Sequence, residues 1–355
     1  NYFVKIYNLF IRGSIILAKF LLVFFLAKKI SIEELGIYSL FITTITVLIF
    51  ILGLDYYAPN TRNIIAAKNL SDKKLKITNQ FFLHLLIYLI SIPFLLVLFK
   101  LNIIPEKYCL YFYSLLFLEF LLKEIYRLII TLGSPVFATF ISFIKDALWV
   151  YLLFIVILIY PIQLTLIYIF LIWVVFEVFA LGFSVIWLSK KINIFENVKI
   201  DTTDIKRTIS KASIFLFGTI SLKIVEFSNR YFINFFLDKE AVGIFSFYSN
   251  ISNVIITVTN TMVFFFFLPV LIETFSENIE SYKKQYKKMT IETIGVCLFS
   301  IIFIILVIKP ILSFLDKREF IENIHTLYIL IVATVINCFG MLPHYSLYVR
   351  HKDKE

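Results

Sequence analysis

The sequence has little charge and few of the residues that build common catalytic or metal sites. Only 16% of its 355 residues are charged, and it contains 3 cysteines and 4 histidines. Cys109, Cys297 and Cys338 have neither a CxxC spacing nor a histidine partner, so neither a disulfide framework nor a metal site is predicted. The histidines are dispersed, and no acid/base pair or nucleophile constellation stands out. We therefore expect no enzyme, no cofactor and no bound metal.

Apolar residues dominate instead. They make up 60% of the chain, and the mean hydropathy is +0.91. A soluble core of this size could not hide so much apolar surface, so the chain belongs in a lipid bilayer. The net charge of +10 is typical of nucleic-acid binding too, but the basic residues lie mostly in short connections between apolar segments. We predict an all-α polytopic membrane protein that binds no nucleic acid.

Ten apolar segments are long enough to cross a membrane, since a spanning helix needs about 20 mainly apolar residues. The first begins almost at residue 1 and lacks a small-residue cleavage site, so we interpret it as a retained span and not a signal peptide. The predicted spans are about 6–27, 35–58, 79–99, 109–130, 137–160, 163–188, 212–236, 242–270, 291–309 and 324–349.

The connections between the spans predict the orientation. If the N-terminus is cytoplasmic, the inside connections and the C-terminal end hold 18 Lys and Arg residues, against 8 in the outside connections. Basic residues favour the cytoplasmic side of a membrane. The bias predicts that both ends of the chain are cytoplasmic.

An internal repeat predicts two related halves. Residues 33–41 (EELGIYSLF) and 240–248 (EAVGIFSFY) are identical at four of nine positions. Abundant Ile, Leu and Phe make chance matching a competitor, but both copies follow a charged apolar segment and open another span. We predict a six-helix N-terminal bundle (1–190), a cytoplasmic linker (191–211) and a C-terminal bundle (212–355) with four helices present. Because residues 351–355 resemble a connection cut midway, we expect two further spans beyond residue 355, the alternative being a natural ten-span protein.

Charges within spans are the most informative residues, because each costs about 2.5 to 3.5 kcal/mol at the centre of a helix. In span seven, Lys223, Glu226 and Arg230 follow i, i+3, i+7 spacing and share one helical face. Glu226 can pair with either cation but cannot neutralise both. Span one, its repeat partner, carries Arg12 and Lys19 seven positions apart with no acid in that span. We predict that these four cations line a cavity and bind an anionic passenger, the alternatives being an ion-paired packing face and, for Arg12, snorkelling.

Acidic residues within spans are candidates for ion pairing or coupling, and they include Asp55, Glu177 and Glu226. Glu177 is alone in an aromatic-rich span, so it is either a protonated core carboxylate or a proton-coupling group. Lys145 and Asp146 are adjacent in sequence, cannot share a helical face, and are expected to bridge neighbouring helices.

Two further features of the spans concern packing. Glu119, Lys123 and Arg127 form a stripe on span four, for which snorkelling toward the inside end competes with function. Gly36 and Gly243, at the entrances to spans two and eight, are expected to permit close approach of span one to two and of span seven to eight.

Two stretches resemble polysaccharide flippases of the multidrug/oligosaccharidyl-lipid/polysaccharide exporter superfamily. The first is LAKKI at 26–30, the connection at 31–35 and GIYSL at 36–40; the second is NRYFINFF at 229–236 followed by EAVGIFS at 240–246. The resemblance covers essentially the whole chain, through degenerate apolar motifs. It departs from the family by lacking the last two helices.

The resemblance implies a MATE-like fold of two six-helix bundles in the bacterial cytoplasmic (inner) membrane. It implies alternating access that moves undecaprenyl-diphosphate-linked O-antigen or capsule units to the outer leaflet, as in polysaccharide and lipopolysaccharide biosynthesis. Basic residues on spans one and seven would handle the diphosphate and acidic sugars, and Arg12, Lys19, Lys223 and Arg230 fall on those spans. The implied partners are the lipid-linked oligosaccharide, membrane lipids and a polysaccharide polymerase.

Two other functions remain open. A polysaccharide polymerase or ligase also acts on lipid-linked sugars, but such enzymes usually carry a large outside loop, and the outside connections here are short. A cation-coupled drug exporter of the same superfamily would need an acidic cavity. The basic faces of spans one and seven argue against that alternative.

Overall fold

The structure is a computed structural model that describes residues 2–159, 164–193 and 200–350. Residues 194–199 of the predicted linker and the predicted connection at 351–355 lie outside this range. The described chain is almost entirely helical. Its helices are α1 (Tyr2–Lys29), α2 (Ile32–Gly53), α3 (Tyr57–Ala66), α4 (Leu70–Lys100), α5 (Cys109–Thr131), α6 (Pro135–Phe143), α7 (Trp149–Ile159), α8 (Leu166–Ile192), α9 (Thr202–Phe236), α10 (Lys239–Thr259), α11 (Phe265–Glu277), α12 (Ile279–Leu315), α13 (Arg318–Glu322) and α14 (Ile324–Val349).

Within the described residues, eight helical segments are long and apolar enough to cross a membrane, and α9 makes nine if its two arms count as one span. Two π-helices, Ile144–Leu148 and Asn260–Phe264, join α6 to α7 and α10 to α11 into single long segments. Within the described residues, each of the ten predicted spans overlaps a helix; residues 160 and 163, at the ends of two predicted spans, lie outside the described ranges. Two of the ten predicted spans are therefore absent from the eight. One is α5, which carries four charged residues, and the other is α9, which bends by 52° between Thr202–Ser213 and Leu216–Phe236.

Short polar breaks start the helices. Ser31 caps α2 with a complete capping box, in which its hydroxyl accepts from the Glu34 backbone and Glu34 accepts from the Ser31 backbone. Asn69 caps α4, and Asp201 caps α9. In each case a side-chain oxygen accepts a hydrogen bond from the backbone of the first turn. Because Asp201 starts α9 at Thr202, the last ten residues of the predicted 191–211 linker are helical.

The chain forms two compact units, residues 1–243 and 244–355. In the first, α5 and α8 pack closely, and the fully buried rings of Phe41, Phe112 and Phe170 join α2, α5 and α8. The ring centroids of Phe41 and Phe170 are 4.1 Å apart. The predicted division into bundles and a linker rests on the repeat, which contacts alone do not test, and it stays a prediction.

The second unit has its own core. Val263, Phe264, Leu271, Met289 and Leu342 form a buried cluster among the π-helix Asn260–Phe264, α11, α12 and α14. A second contact joins α10 to α13, where the rings of Phe247 and Phe320 are 4.4 Å apart and the Tyr248 hydroxyl donates to the Phe320 carbonyl. Burial of aromatic surface therefore organises both units.

The two glycines of the repeat lie against each other. A Cβ on either Gly36 or Gly243 would be 3.1 Å from the backbone nitrogen of the other, and one on Gly36 would overlap the carbonyl of Lys239. The glycines thus allow α2 to touch the first turn of α10. The prediction that they serve contacts of span one with two and of seven with eight was wrong, because the close approach is between the second span and the eighth.

We predict that Gly36→Ala destabilises the protein, because its methyl group would meet backbone atoms that cannot rotate away. Overpacking of this kind costs about 1 to 3 kcal/mol. The measurement is the thermal unfolding midpoint of the purified protein in detergent. Gly13→Ala is the matched control, since a Cβ at that helical glycine meets nothing within 4 Å. Equal midpoints for the two variants would contradict the close contact.

Candidate functional site

The first cluster of charged residues surrounds Lys145, in the π-helix between α6 and α7. Its ammonium nitrogen lies 2.7 Å from Glu119 Oε2 of α5, 3.2 Å from Asp146 Oδ1 and 3.7 Å from Glu177 Oε1 of α8. The Lys145 side chain is only 10% exposed. Since an unpaired buried ammonium would be very costly, these carboxylates are what permit a lysine here.

Lys19 of α1 extends this cluster. Its ammonium nitrogen is 3.5 Å from Asp146 Oδ1, and its side chain is 61% exposed. Glu177 closes the other side, is fully buried, and accepts a hydrogen bond from Trp173 Nε1 at 3.1 Å. Three carboxylates and two ammonium groups meet at this point, which leaves a formal charge of −1 if all are ionised.

The sequence prediction for Lys145 and Asp146 is confirmed in its main point. Lys145 reaches α5 and α8, and Asp146 reaches Lys19 of α1, so the adjacent residues bridge different neighbours. Their side chains also contact each other at 3.2 Å, which the argument from helical faces did not anticipate. A π-helix, with its wider turn, lies at this point of the chain.

The second cluster lies on α9, the predicted span seven. Lys223 Nζ is 2.6 Å from Glu226 Oε2, and Arg230 Nε donates to the Ser39 hydroxyl of α2 at 3.2 Å. Both cations lie near the ring of Phe227, at 5.4 and 6.0 Å from its centroid, so they share one side of the helix as predicted. Residues 223–230 of α9 therefore carry two cations and one carboxylate.

Contacts between α2 and α9 hold this second cluster in place. The hydroxyls of Thr44 and Tyr231 are 2.9 Å apart. Thr44 lies five residues after Ser39 on α2, and Tyr231 directly follows Arg230 on α9. Further along the same two helices, Lys223 Nζ lies 4.9 Å from the ring centroid of Phe50. The charged side of α9 therefore faces α2.

Helix α5 connects the two clusters. Glu119 contacts Lys145, and Lys123, one turn further on, places its ammonium nitrogen 3.7 Å from the ring centroid of Phe50. Lys123 and Lys223 thus both lie against Phe50. The stripe predicted on span four is not wholly a snorkelling feature, because Glu119 and Lys123 contact groups within the first unit.

Two predicted site residues stand apart from both clusters. Arg12 of α1 is exposed and makes no ion pair with the residues that the structure describes. Asp55 follows α2 in a left-handed backbone conformation, is only 7% exposed, and is likewise without an ion pair in the described ranges. The clusters gather the predicted site residues Lys19, Glu177, Lys223, Glu226 and Arg230.

Buried amides were missed by an analysis that weighed only charged residues. Asn60 donates to Gln80 at 2.7 Å, and Gln80 donates to Glu124 at 2.6 Å. Asn79 donates to Asp204 at 2.9 Å and so ties α4 to the start of α9. Uncharged amides in the apolar helix α4 were the available signal, because buried amides need partners as charges do.

Comparisons with known proteins bear on the fold. The chain is similar in structure to a multidrug resistance MATE family transporter of the MOP superfamily, solved in an inward-facing conformation, with a TM-score of 0.72 and 17% sequence identity. The likeness covers 92% of this chain and 80% of that chain. No family model matches the sequence, and no curated protein matches it either.

Fold and composition together define the class. The protein is an all-α polytopic membrane protein with a MATE-like fold, as the sequence predicted. Likeness at 17% identity establishes the fold alone.

We predict that Lys145→Met strongly destabilises the protein, because it leaves Glu119, Asp146 and Glu177 close together and without their central cation. Removing one partner of a buried ion pair costs about 3 to 5 kcal/mol. Adding Glu119→Leu should recover part of the loss. Chemical unfolding in detergent measures both effects.

Arg318→Met is the matched control for Lys145→Met. Arg318 pairs with Glu322 at 2.6 Å, but both side chains are exposed, so its removal should change stability little. A loss for Lys145→Met as small as that for Arg318→Met would show that the cluster contributes little to stability.

Proposed function

We propose that the protein is a membrane transporter, a flippase that carries an undecaprenyl-diphosphate-linked oligosaccharide across the bacterial inner membrane. The passenger would be an O-antigen or capsule repeat unit, moved by alternating access through a cationic cavity. Arg12, Lys19, Lys223 and Arg230 are the proposed substrate-binding residues. The N-terminus would be cytoplasmic, as the distribution of basic residues favours.

The observation that carries the proposal is the charge balance on α9. Residues 223–230 of α9 carry two cations and one acid, and the acid, Glu226, lies 2.6 Å from Lys223. Arg230 donates a hydrogen bond to the Ser39 hydroxyl of α2. An excess of positive charge on one side of an apolar helix favours an anionic passenger, such as a diphosphate or an acidic sugar.

Helix α1 supports the same preference. Arg12 is exposed, and Lys19 is more than half exposed although it contacts Asp146. Exposed cations on an apolar helix are tolerated where water or an anion replaces the lost hydration. An anionic passenger would supply that replacement.

A drug exporter is the second candidate, favoured by the likeness to a multidrug resistance transporter. Such a protein attracts cationic compounds and would need acidic residues where α9 carries Lys223 and Arg230. Growth of a flippase-deficient strain that carries this gene, compared with drug resistance in a sensitised strain, separates the two. Rescue of growth supports the flippase, and resistance alone supports the exporter.

We further propose that Glu177 is the coupling carboxylate. It is fully buried in a cluster of three carboxylates and two ammonium groups. The formal charge of this cluster is −1 when all groups are ionised, so binding of one proton would make it neutral. Asp146 connects that cluster to the exposed Lys19 of α1, so a change of charge at Glu177 could reach a substrate-binding residue. Glu226 and Asp55 are the other proposed ion-pairing or coupling acids.

We predict that Arg230→Ala and Lys223→Ala each lower the initial rate of passenger transfer by about tenfold or more, because a hydrogen bond to a charged group contributes about 1.5 to 3 kcal/mol. The measurement uses proteoliposomes and a fluorescent lipid-linked oligosaccharide that an external reagent quenches only in the outer leaflet. Lys283→Ala, at an exposed position near the start of α12, is the control. Full rates in both variants would rule out the assigned residues.

We predict that Glu177→Gln removes the response of transport to an imposed pH gradient, because the amide keeps the shape of the side chain but cannot exchange a proton. The same proteoliposomes, with and without a pH difference, provide the measurement. Glu273→Gln, an exposed carboxylate of α11, is the matched control. A Glu177→Gln protein that still responds fully would eliminate Glu177 as the coupling group.

A further inference from the structure

Lys123 is a cation whose neighbouring carboxylates are already engaged. Glu119, one turn before it on α5, lies 2.7 Å from Lys145. Glu124, the next residue, lies 2.6 Å from Arg127 and accepts a second hydrogen bond from Gln80 at 2.6 Å. Lys123 itself makes no ion pair within the described residues, although it is half-buried in the first unit.

The contact that Lys123 does make is with an aromatic ring. Its ammonium nitrogen lies 3.7 Å from the ring centroid of Phe50, which positions the cation but adds no negative charge. An ammonium group in a low-dielectric region is strongly destabilised unless an opposite charge or water accompanies it. The position is therefore suited to an anion.

A second cation lies against the same ring. Lys223 Nζ is 4.9 Å from the Phe50 centroid, so the two ammonium nitrogens can be no farther apart than the sum of their distances to it. Within the described residues, Lys223 pairs with Glu226 at 2.6 Å, and Lys123 makes no ion pair. Two like charges so close repel each other, and an anion that touches both would remove the repulsion.

The shape of the pair indicates which anion fits. Lysine ammonium groups bind phosphate oxygens as compact point charges, and each carries three donors on a flexible stem. A diphosphate has two anionic centres and can meet two separate ammonium groups at once. A single carboxylate is smaller and would compete with the Glu226 that is already present.

We propose that Lys123 of α5 and Lys223 of α9, positioned by the ring of Phe50, form a two-lysine subsite for a diphosphate group. This inference rests on the proposed function, because the diphosphate would be the one that links the polyprenyl chain to the sugar. It assigns a binding role to Lys123 and a positioning role to Phe50. The cluster around Lys145 is unsuited to the same task, since its carboxylates already outnumber its cations.

The test is binding of polyprenyl diphosphate, without sugar, to the purified protein in nanodiscs. We expect Lys123→Gln to weaken binding about tenfold, which corresponds to about one unit in the logarithm of Kd, while Lys123→Arg keeps most of it because the charge remains. Uncharged polyprenol should bind equally to all variants. Lys283→Gln controls for loss of positive charge in general.

Inorganic pyrophosphate separates recognition of the group from recognition of the lipid. Competition by pyrophosphate that is lost in Lys123→Gln supports a subsite for the diphosphate group itself. Binding of the lipid that depends on Lys123 without competition by pyrophosphate supports the lipid-borne diphosphate as the ligand. Unchanged binding of polyprenyl diphosphate to Lys123→Gln overturns the proposal.

Phe50→Leu keeps the test informative if Lys123→Gln folds poorly. It leaves both charges in place and removes the ring, so we expect weaker binding of the diphosphate with unchanged binding of polyprenol. Wild-type binding by Phe50→Leu would overturn the positioning role of the ring.

The same variants distinguish this inference from the proposed function. If the protein binds polyprenyl diphosphate through Lys123 but moves no lipid-linked oligosaccharide, the subsite is supported and the flippase function is contradicted. If Lys123→Gln moves the oligosaccharide at full rate, the flippase function is supported and the subsite is contradicted.

Discussion

An ionised side chain inside a membrane needs an opposite charge, a hydrogen-bonding partner or water, and the first unit is arranged around that requirement. Lys145 meets it with three carboxylates, drawn from its own π-helix and from α5 and α8. Lys19 joins from α1 through Asp146. Because removal of one partner would leave an uncompensated buried charge, α1, α5, α8 and the π-helix are expected to keep the relative positions that these ion pairs require.

The number of carboxylates near each cation changes along α5, between Glu119 and Lys123. Around Glu119, three carboxylates surround two ammonium groups, so every cation of this cluster has an anionic partner. One turn further, Lys123 has a ring where a carboxylate would be needed, and Lys223 faces the same ring from α9. Incomplete compensation of this kind is costly for the protein alone, and it is tolerated where a ligand completes the site.

The likeness to a MATE family transporter at 17% identity has a physical explanation. On helices that face lipid, one apolar residue substitutes for another with little effect on packing or insertion, so the sequence can diverge widely while the fold remains. Charged positions have no such freedom. The chemical character of this chain is therefore expected to be determined by the few cations and acids of α1, α5, α8 and α9 and not by the helical framework.

The sequence by itself determined the class of fold, the positions of all ten helical segments and the shared face of Lys223, Glu226 and Arg230. These depend on local properties, hydropathy and helical periodicity, which short stretches carry in full. Only the tertiary structure decided that Gly36 meets Gly243, that Lys145 contacts carboxylates from three elements, and that Lys123 and Lys223 both lie against the ring of Phe50. Those contacts join residues far apart in the chain, and whether a charge is compensated depends on which helices become neighbours, information that no single segment contains.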